Sequence, residues 1–221
     1  MYGFKCRLVS WHDIERWVDD IIKKMEMDSY EPEIIIGMAR GGIVPARIVS
    51  DRFQQKNLYT IKTEHWGITA TVDGQAKIVQ GLPVDINNRD IIIVDDITDT
   101  GQSMKLAYEY VKSLNPKSVK SSTLLHITRS VFKPDYFSQE VHESDWAWFI
   151  FPWNVYEDLM NILSKILDEE KKVNMENIKE ILKKNFYINP EEEKLKEILK
   201  RMINKGVITY RNGYYTKQIQ K

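Results

Sequence analysis

Residues 90–101 read DIIIVDDITDTG, and this stretch decides the fold class. The four β-branched residues 91–94 do not alternate with polar residues, which predicts a strand buried on both faces, as in a parallel sheet. Asp95 and Asp96 follow this strand directly. Because ligands of open parallel sheets bind outside the carboxyl ends of the strands, we expect a functional site at these two acids.

The residues after the acid pair favour an anion. Thr98, Thr100, Gly101 and Ser103 place hydroxyl groups and a small residue at the start of a predicted helix. Free backbone N–H groups and the dipole at a helix N-terminus attract phosphate. Two adjacent carboxylates repel each other unless a cation or hydroxyl group lies between them. A phosphorylated sugar would satisfy both halves; the alternative is a capped helix with solvated acids.

A second strand, loop and helix come earlier in the chain. The apolar residues 34–38 predict another doubly buried strand, which leads into Ala39, Arg40, Gly41 and Gly42. Two glycines let the backbone approach an anion closely, and the guanidinium of Arg40 suits phosphate. Glycine pairs also occur in ordinary turns, so this loop alone is weak support for a site.

Further predicted strands at 58–62 and 119–126 and helices at 43–53 and 104–114 complete the pattern. This order predicts an α/β fold, an open, mainly parallel sheet flanked by helices. The 221 residues, 43% of them hydrophobic, allow one large domain and a small appendage. No apolar run approaches the roughly 20 residues of a membrane span, and the start lacks an apolar secretory segment. Since the single Cys6 excludes an internal disulfide, we expect a cytoplasmic protein without a membrane partner.

Residues 94–101 resemble the PRPP-binding signature of the type I phosphoribosyltransferases and stand in the same strand–loop–helix setting. The resemblance implies that Asp95 and Asp96 hold the ribose hydroxyls, with Mg²⁺ nearby and bound indirectly or through those hydroxyls. It also implies that Asp99 accepts the N7 proton of a purine. The residues expected to surround the 5′-phosphate are Thr98, Asp99, Thr100, Gly101, Gln102 and Ser103.

The earlier loop resembles the pyrophosphate loop of the same family, and residues 38–46 are most similar to bacterial xanthine-guanine phosphoribosyltransferases. Lys62, after a short predicted strand, is either a further pyrophosphate ligand or a surface or interface lysine. The resemblance gives the pyrophosphate-binding role to Ala39, Arg40, Gly41 and Gly42.

Two aromatic segments, 144–147 and 151–154, resemble the purine-binding segment of the xanthine-guanine and hypoxanthine-guanine enzymes. This segment belongs to a small hood that the family places near the chain ends. Since a flat base needs an aromatic face to stack on, Trp146 is the candidate for stacking and Ala147 the candidate for backbone contacts. A buried aromatic strand or a subunit contact explains such tryptophans equally well.

Residues 124–135 are also similar to the hypoxanthine-guanine enzymes, which usually have a lysine just after this strand that reaches the exocyclic oxygen of the base. This sequence has His126 and Ile127 there, with Arg129 and Lys133 further on. His126 either donates to an oxo group of the purine or is a structural residue. The group that reads O6, and hence the preferred purine, stays open.

These resemblances imply a Mg²⁺-dependent purine phosphoribosyltransferase of purine salvage. Its partners would be PRPP and a purine base, and its assembly a homodimer or homotetramer. The base would be a 6-oxopurine, that is guanine, hypoxanthine or xanthine. A hairpin at 62–85, turning at Asp73-Gly74, would close over the site and exclude water. The alternatives are a pyrimidine or adenine as the base, and a non-catalytic PRPP-sensing transcription regulator that binds DNA through its C-terminal part.

The C-terminal part differs in charge from the rest of the chain. Residues 171–221 hold 13 of the 32 basic residues but 6 of the 32 acidic ones, a balance of +7. We therefore predict a catalytic domain with its hood at 1–170 and a small basic domain at 171–221. Two helices and two short strands around Asn212-Gly213 loosely resemble a winged helix. Nucleic-acid binding and an oligomerisation or docking role are both open, and the second is favoured.

Overall fold

A computed structural model describes residues 2–65 and 76–218 of the chain. The chain divides into two compact units, which we call the larger and the smaller unit. His12–Trp146 forms the larger unit, and Met1–Trp11 with Ala147–Lys221 forms the smaller one. Over the described ranges, no helix has the length and apolar character needed to cross a membrane.

Strands and helices alternate through much of the chain and are numbered here in chain order. The strands are β1 (Cys6–Leu8), β2 (Ile34–Ala39), β3 (Leu58–His65), β4 (Ala76–Gln80), β5 (Asp90–Thr98), β6 (Ser118–Ile127), β7 (Tyr136–Val141), β8 (Trp148–Ile150), β9 (Lys172–Val173), β10 (Ile208–Arg211) and β11 (Tyr214–Lys217). The α-helices are α1 (Trp11–Met27), α2 (Ile43–Arg52), α3 (Gln102–Ser113), α4 (Val155–Glu170), α5 (Met175–Asn185) and α6 (Glu192–Asn204).

The larger unit contains a six-stranded sheet in the order β4-β3-β2-β5-β6-β7. Its strands are parallel except β4, which runs antiparallel to β3. This confirms the predicted open, mainly parallel sheet. Residues 91–94 of β5 are fully buried, and Ile91 and Ile93 belong to one core cluster with Met104, Ala107 and Val111 of α3. Burial of each such isoleucine contributes about 1.5–3 kcal/mol.

The strand order reverses between β2 and β5. From β2 the chain continues to β3 on one side, whereas from β5 it continues to β6 and β7 on the other. The two central strands are neighbours, with Gly37 opposite Val94, so their carboxyl ends lie side by side. Ligands of open α/β sheets bind at such a reversal, outside the strand ends.

The predicted hairpin at 62–85 falls only partly within the described residues. Strand β4 covers the strand predicted at 76–79, and it pairs antiparallel with β3. The strand predicted at 68–72 and the turn Asp73-Gly74 lie outside the described residues. Closure of this hairpin over the site therefore stays a prediction.

The smaller unit has two sheets and a helical core. β1 pairs parallel with β8, and β10, β11 and β9 form an antiparallel sheet in that order. A single apolar cluster includes Leu163 and Ile166 from α4, Leu182 from α5, and Leu195 and Leu199 from α6. The pairing of β9 with β11 was not expected from the sequence, and the resemblance to a winged helix stays a prediction.

The boundary predicted between residues 170 and 171 does not coincide with the division into compact units. α4 lies before that boundary, yet its buried stripe belongs to the same cluster as the helices after it. A break at 170 would expose this stripe to water. The charge balance changes at 170 because charge is a property of the exposed residues, and it carries no information on how the apolar stripe is shared.

Candidate active site

The acid pair stands at the end of β5, beside the loop that follows β2. Asp96 is buried and Asp95 is partly buried, and the backbone N–H of Asp96 donates to Oδ1 of Asp95 at 2.9 Å. Burial and the Asp96 carboxylate raise the pKa of Asp95 well above its ordinary value, although hydrogen bonds from the backbone N–H groups of Asp96 and Gly42 oppose this rise. Two carboxylates this close favour a cation or hydroxyl group between them.

The loop after β2 lies directly against the acid pair because it contains glycine. A Cβ atom on Gly41 would lie 2.1 Å from Oδ2 of Asp96, and one on Gly42 would lie 2.3 Å from the carbonyl oxygen of Val94. The loop connects through a cis peptide between Ala39 and Arg40. The four residues predicted to bind pyrophosphate therefore stand next to the acids predicted to bind ribose.

The loop after β5 turns at Gly101, which has a left-handed φ of 79° and caps the N-terminus of α3. A Cβ atom there would lie 2.2 Å from Oγ of Ser130, and the N–H of Val131 donates to the carbonyl of Thr100 at 2.9 Å. The loop encloses a cavity of about 230 Å³. The residues lining it are Asp95, Ile97, Thr98, Asp99, Thr100, Gly101, Ser103 and Met104.

This cavity brings together most of the residues predicted for ribose and 5′-phosphate. Gly101, Ser103 and Met104 at the start of α3 line the cavity, and the N–H groups and dipole of a helix N-terminus favour a phosphate. Asp96 and Gln102, which were also predicted, do not line it. A phosphate near Gly101 and a sugar near Asp95 would fit the order in which these residues occur along the loop.

His126 lies inside the sheet of the larger unit, with 4% of its surface exposed. Its Nδ1 and the hydroxyl of buried Thr98 are 3.0 Å apart, and its ring centroid lies 5.1 Å from that of Phe137. Burial lowers its pKa below the ordinary value, which favours the neutral imidazole. The predicted contact of His126 with a purine gains no support from this position, which instead indicates a structural residue that fixes Thr98.

Asp99 forms an ion pair with Arg129, a residue from the loop after β6. Nε of Arg129 donates to Oδ1 of Asp99 at 2.9 Å, and Nη2 donates to the same oxygen. The guanidinium carbon also lies 5.1 Å from the ring centroid of Trp146. Three residues considered separately in the sequence are therefore joined at one place. The sequence signal for Arg129 was its position just after the strand that neighbours β5.

The aromatic segment around Trp146 is divided between the two units. Trp146 itself is partly buried in the larger unit, whereas Ala147 is 3% exposed and belongs to the smaller one. In the smaller unit the rings of Phe151 and Trp153 are stacked, with centroids 5.0 Å apart. Packing therefore explains part of this segment, and Trp146 contacts Arg129, which reaches the loop after β5.

Lys62 lies at the same edge of the sheet as the loop after β2. Strand β3 pairs with β2 so that Lys62 is opposite Ala39. Its ammonium group forms an ion pair with Glu64 and remains partly exposed. This position suits either a pyrophosphate ligand or a surface lysine, so both alternatives from the sequence persist.

The carboxylates of the site fit a cation that is shared with a ligand. Over residues 2–65 and 76–218, no group of three or more His, Cys, Asp or Glu side chains could hold a metal ion alone. Asp95 and Asp96 supply two neighbouring carboxylates, and the pKa of Asp95 is raised as described above. Mg²⁺ is commonly bound by one or two carboxylates together with water and substrate phosphates, and the donor set agrees with that manner of binding.

A parallel sheet with an acid pair and two glycine loops at its reversal point defines an α/β protein that binds a phosphorylated sugar or nucleotide. Residues 7–158, more than half of the chain, match the family described as "Phosphoribosyl transferase domain". The chain belongs to this family. The match begins before the larger unit and ends within α4.

Individual relatives agree with the family assignment. The chain is 30% identical over 158 residues to a hypoxanthine-guanine phosphoribosyltransferase of Aquifex aeolicus, which covers 67% of this chain and 87% of the relative. It is 24% identical over 148 residues to a xanthine-guanine phosphoribosyltransferase of Idiomarina loihiensis, covering 67% and 86%. The solved structure of a purine phosphoribosyltransferase from Pyrococcus horikoshii is similar with a TM-score of 0.59 and 27% identity, covering 67% and 93%.

Proposed function

We propose that this protein transfers the 5-phosphoribosyl group of PRPP to a 6-oxopurine and releases pyrophosphate, forming a purine nucleoside monophosphate. The observation that carries the proposal is the meeting of Asp95 and Asp96 with two glycine-containing loops at one edge of the sheet. The names of the relatives, which refer to hypoxanthine, guanine and xanthine, support the choice of base.

The proposed binding mode follows the order of groups along PRPP. The ribose hydroxyls would donate to Asp95 and Asp96, which relieves the repulsion between the two carboxylates. The 5′-phosphate would accept hydrogen bonds from the loop that turns at Gly101, at the N-terminus of α3. The pyrophosphate would lie at the loop 39–42, where Arg40 supplies a planar cationic donor.

The proposed reaction is a substitution at the anomeric carbon of PRPP. A nitrogen of the purine forms a bond to this carbon while the bond from the carbon to the pyrophosphate oxygen breaks. The pyrophosphate departs with the electron pair, and the loop around Arg40 stabilises its charge. The proton that the purine loses passes to the carboxylate of Asp99. Trp146 would stack on the base, and Ala147 is the candidate for backbone contacts to its edge.

Mg²⁺ is proposed as the cofactor because the family and the donor set both fit it. Asp95 and Asp96 would hold the ion together with oxygens of PRPP, directly or through the ribose hydroxyls. The bound ion would supply neutralisation of the pyrophosphate charge. The cytoplasmic location, the homodimer or homotetramer and the role of residues 171–221 are predictions from the sequence.

A non-catalytic PRPP sensor is the weaker candidate. Such a sensor needs the loop after β5 but has no need for a proton acceptor at Asp99 or for the Arg40 loop, and the named relatives are enzymes. Measuring both PRPP binding and pyrophosphate release separates the sensor from the enzyme. A sensor binds PRPP and produces no pyrophosphate with any base.

The proposal is tested by incubating the protein with PRPP and Mg²⁺ and with each of guanine, hypoxanthine, xanthine, adenine and uracil in turn. We expect nucleoside monophosphate and an equal amount of pyrophosphate with at least one 6-oxopurine. If only adenine or uracil is used, the proposed 6-oxopurine substrate is wrong. If no base gives a product, the proposed enzymatic activity is wrong.

Asp99→Asn tests the proposed proton acceptor. The substitution keeps the shape of the side chain but removes its basicity, so we expect kcat to fall by about 10²–10⁴-fold. The dissociation constant of PRPP, measured by calorimetry in the presence of Mg²⁺, should change little. Equal losses in kcat and in PRPP affinity would remove Asp99 from the proton-acceptor role.

A further inference from the structure

The guanidinium of Arg129 is held from two directions. On one side both Nε and Nη2 donate to Oδ1 of Asp99, and on the other the guanidinium lies over the ring of Trp146. The side chains of Arg129 and Asp99 are 40% and 36% exposed. Since a planar guanidinium is fixed best by a carboxylate and an aromatic face together, its orientation here is well defined.

The ion pair uses the two oxygens of Asp99 unequally. Two donors converge on Oδ1, and neither contacts Oδ2. A carboxylate held through one oxygen cannot rotate freely, so Oδ2 keeps a fixed direction. Asp99 lines the cavity of the loop after β5. A proton arriving from a ligand in that cavity would therefore meet the oxygen that Arg129 leaves unoccupied.

Two other residues that the sequence suggested near the base, Lys133 and His126, contact other groups. Lys133 pairs with Glu140 at 3.5 Å and lies over the ring of Phe137. His126 is buried and bonded to Thr98. Arg129 is thus the cation of this loop and strand that the structure brings to the carboxylate proposed to accept the proton.

We propose that Arg129 is the positioning residue of Asp99. This proposal rests on the proposed function and deepens it: Arg129 directs Oδ2 of Asp99 toward the base, which places that oxygen to receive the proton that the base loses. In the reaction step the purine nitrogen bonds to the anomeric carbon, pyrophosphate leaves with the electron pair of the broken bond, and the proton of the purine is transferred to Oδ2. Trp146 holds the guanidinium in place while this occurs.

The test compares Arg129→Gln and Arg129→Lys with the unchanged protein. Arg89→Gln is the matched control, because Arg89 also pairs with a carboxylate in the larger unit, Glu33 at 2.7 Å, with both side chains partly exposed. The measurements are kcat and the KM values for PRPP and for the 6-oxopurine that is used best. Chemical unfolding of each variant checks that it is folded.

We expect Arg129→Gln to lower kcat by on the order of 10- to 100-fold, the effect typical of a residue that orients a reacting group. The KM for PRPP should stay within about twofold, because Arg129 contacts the loop after β5 through the side chain of Asp99, whereas the phosphates are proposed to bind backbone N–H groups and Arg40. Arg129→Lys, which keeps the charge but loses the double donation to one oxygen, should fall in between. Added guanidinium chloride at low millimolar concentration should restore part of kcat in Arg129→Gln, and Arg89→Gln should behave as the unchanged protein does.

In an Asp99→Asn background, Arg129→Gln should have little further effect, because the two residues act as one unit. An unchanged kcat in Arg129→Gln, an equal rise in the KM for PRPP, or additive losses in the double variant would each overturn the positioning role. These failures differ from failure of the proposed function, in which the unchanged protein itself yields no nucleotide with any base. If Arg129→Gln does not fold, Arg129→Lys decides: wild-type kcat in that variant also overturns the role.

Discussion

The loop after β2 and the loop after β5 meet at the same two acids, but glycine has a different purpose in each. In the first loop, Gly41 and Gly42 are required by space: a side chain at either position would collide with Asp96 or with the backbone of Val94. In the second loop, Gly101 is required by conformation, with φ at 79°, as well as by its closeness to Ser130. The comparison shows that the first loop is positioned by contact with β5, whereas the second is shaped by its own turn.

Because of this difference, displacement of each loop should disturb a different part of the molecule. Displacement of the first loop moves β5 or the acid pair, because there is no gap between them. Displacement of the second loop changes the start of α3 and the contact with the loop after β6. Predictions about single glycines can therefore separate damage to the sheet from damage to one turn.

Gly42→Ala should have the largest effect. Its Cβ atom would lie 2.3 Å from the carbonyl oxygen of Val94 and 2.8 Å from Cα of Asp95, and backbone cannot move aside as a side chain can. We expect a loss of about 1–3 kcal/mol in the free energy of unfolding. Turnover should fall on the order of 100-fold, since a shift of about 1 Å at a reacting group has that effect.

Gly41→Ala is the matched control for this prediction. The three atoms nearest to its Cβ position all belong to the carboxyl group of Asp96, a side-chain group that can rotate, so urea unfolding should detect a smaller loss of stability than in Gly42→Ala. PRPP affinity should still decrease because the acid pair is disturbed. If Gly41→Ala proves the less stable variant, the idea that the first loop is fixed by backbone contact is wrong.

Gly101→Ala and Gly213→Ala share a positive φ but differ in their surroundings. A Cβ atom on Gly101 would lie 2.2 Å from Oγ of Ser130, whereas no atom lies within 4 Å of the Cβ position at Gly213, in the turn between β10 and β11. Left-handed strain alone amounts to roughly 1–2 kcal/mol. We expect Gly213→Ala to lose about that much with unchanged turnover, and Gly101→Ala to lose more and to bind PRPP weakly.

Thermal unfolding and PRPP titration of both variants measure this contrast. Equal stability losses with equal PRPP affinity would mean that the turn at Gly101 needs only its φ and that its contact with Ser130 is unimportant. In that case the loop after β5 would need glycine only for its left-handed backbone conformation and not for space.

The elements predicted best from the sequence are those in which consecutive side chains are all buried. Residues 91–94 lie in a buried strand, so an unbroken apolar run sufficed to predict β5 and the site at its end. Strand β7 was missed because it mixes buried Tyr136 with exposed Gln139 and Glu140 at the edge of the sheet, where neither periodicity is clear. The charge balance that changes at 170 reflects exposed residues and not the packing of the core, so the domain boundary placed there stays a prediction.

Arg129 illustrates a different limit of sequence reasoning. Its ion pair with Asp99 joins residues 30 positions apart, and the contact depends on the neighbouring positions of β5 and β6 in the sheet. A resemblance could suggest a cation near this strand, but it could not tell which of several candidates reaches the carboxylate. Only the pairing of the strands decides that question.

Asp95→Asn should have the smallest effect on the stability of the protein without ligand. We expect this substitution to raise the stability, whereas the glycine substitutions lower it. The folded protein raises the pKa of Asp95 above its ordinary value of 3.8, so Asp95 favours folding most below that value, and this contribution is lost as the pH rises through the raised pKa. Asparagine removes the repulsion from Asp96, and we expect the variant to melt a few degrees higher at pH 8, with the difference shrinking toward pH 4. For a chain of this length, each 1 kcal/mol corresponds to roughly 2–4 °C.

With PRPP and Mg²⁺ at pH 8, we expect the unchanged protein to melt at a higher temperature than Asp95→Asn. A ligand that binds only the folded protein stabilises it in proportion to its affinity, and the unchanged protein can offer a carboxylate at position 95 where the variant offers an amide. A variant that melts lower than the unchanged protein without ligand would mean that Asp95 is already stabilised as an anion. Since both loops converge on the acid pair, a lower melting temperature of Asp95→Asn without ligand would also mean that the folded protein stabilises the charge of Asp95 and Asp96 without PRPP.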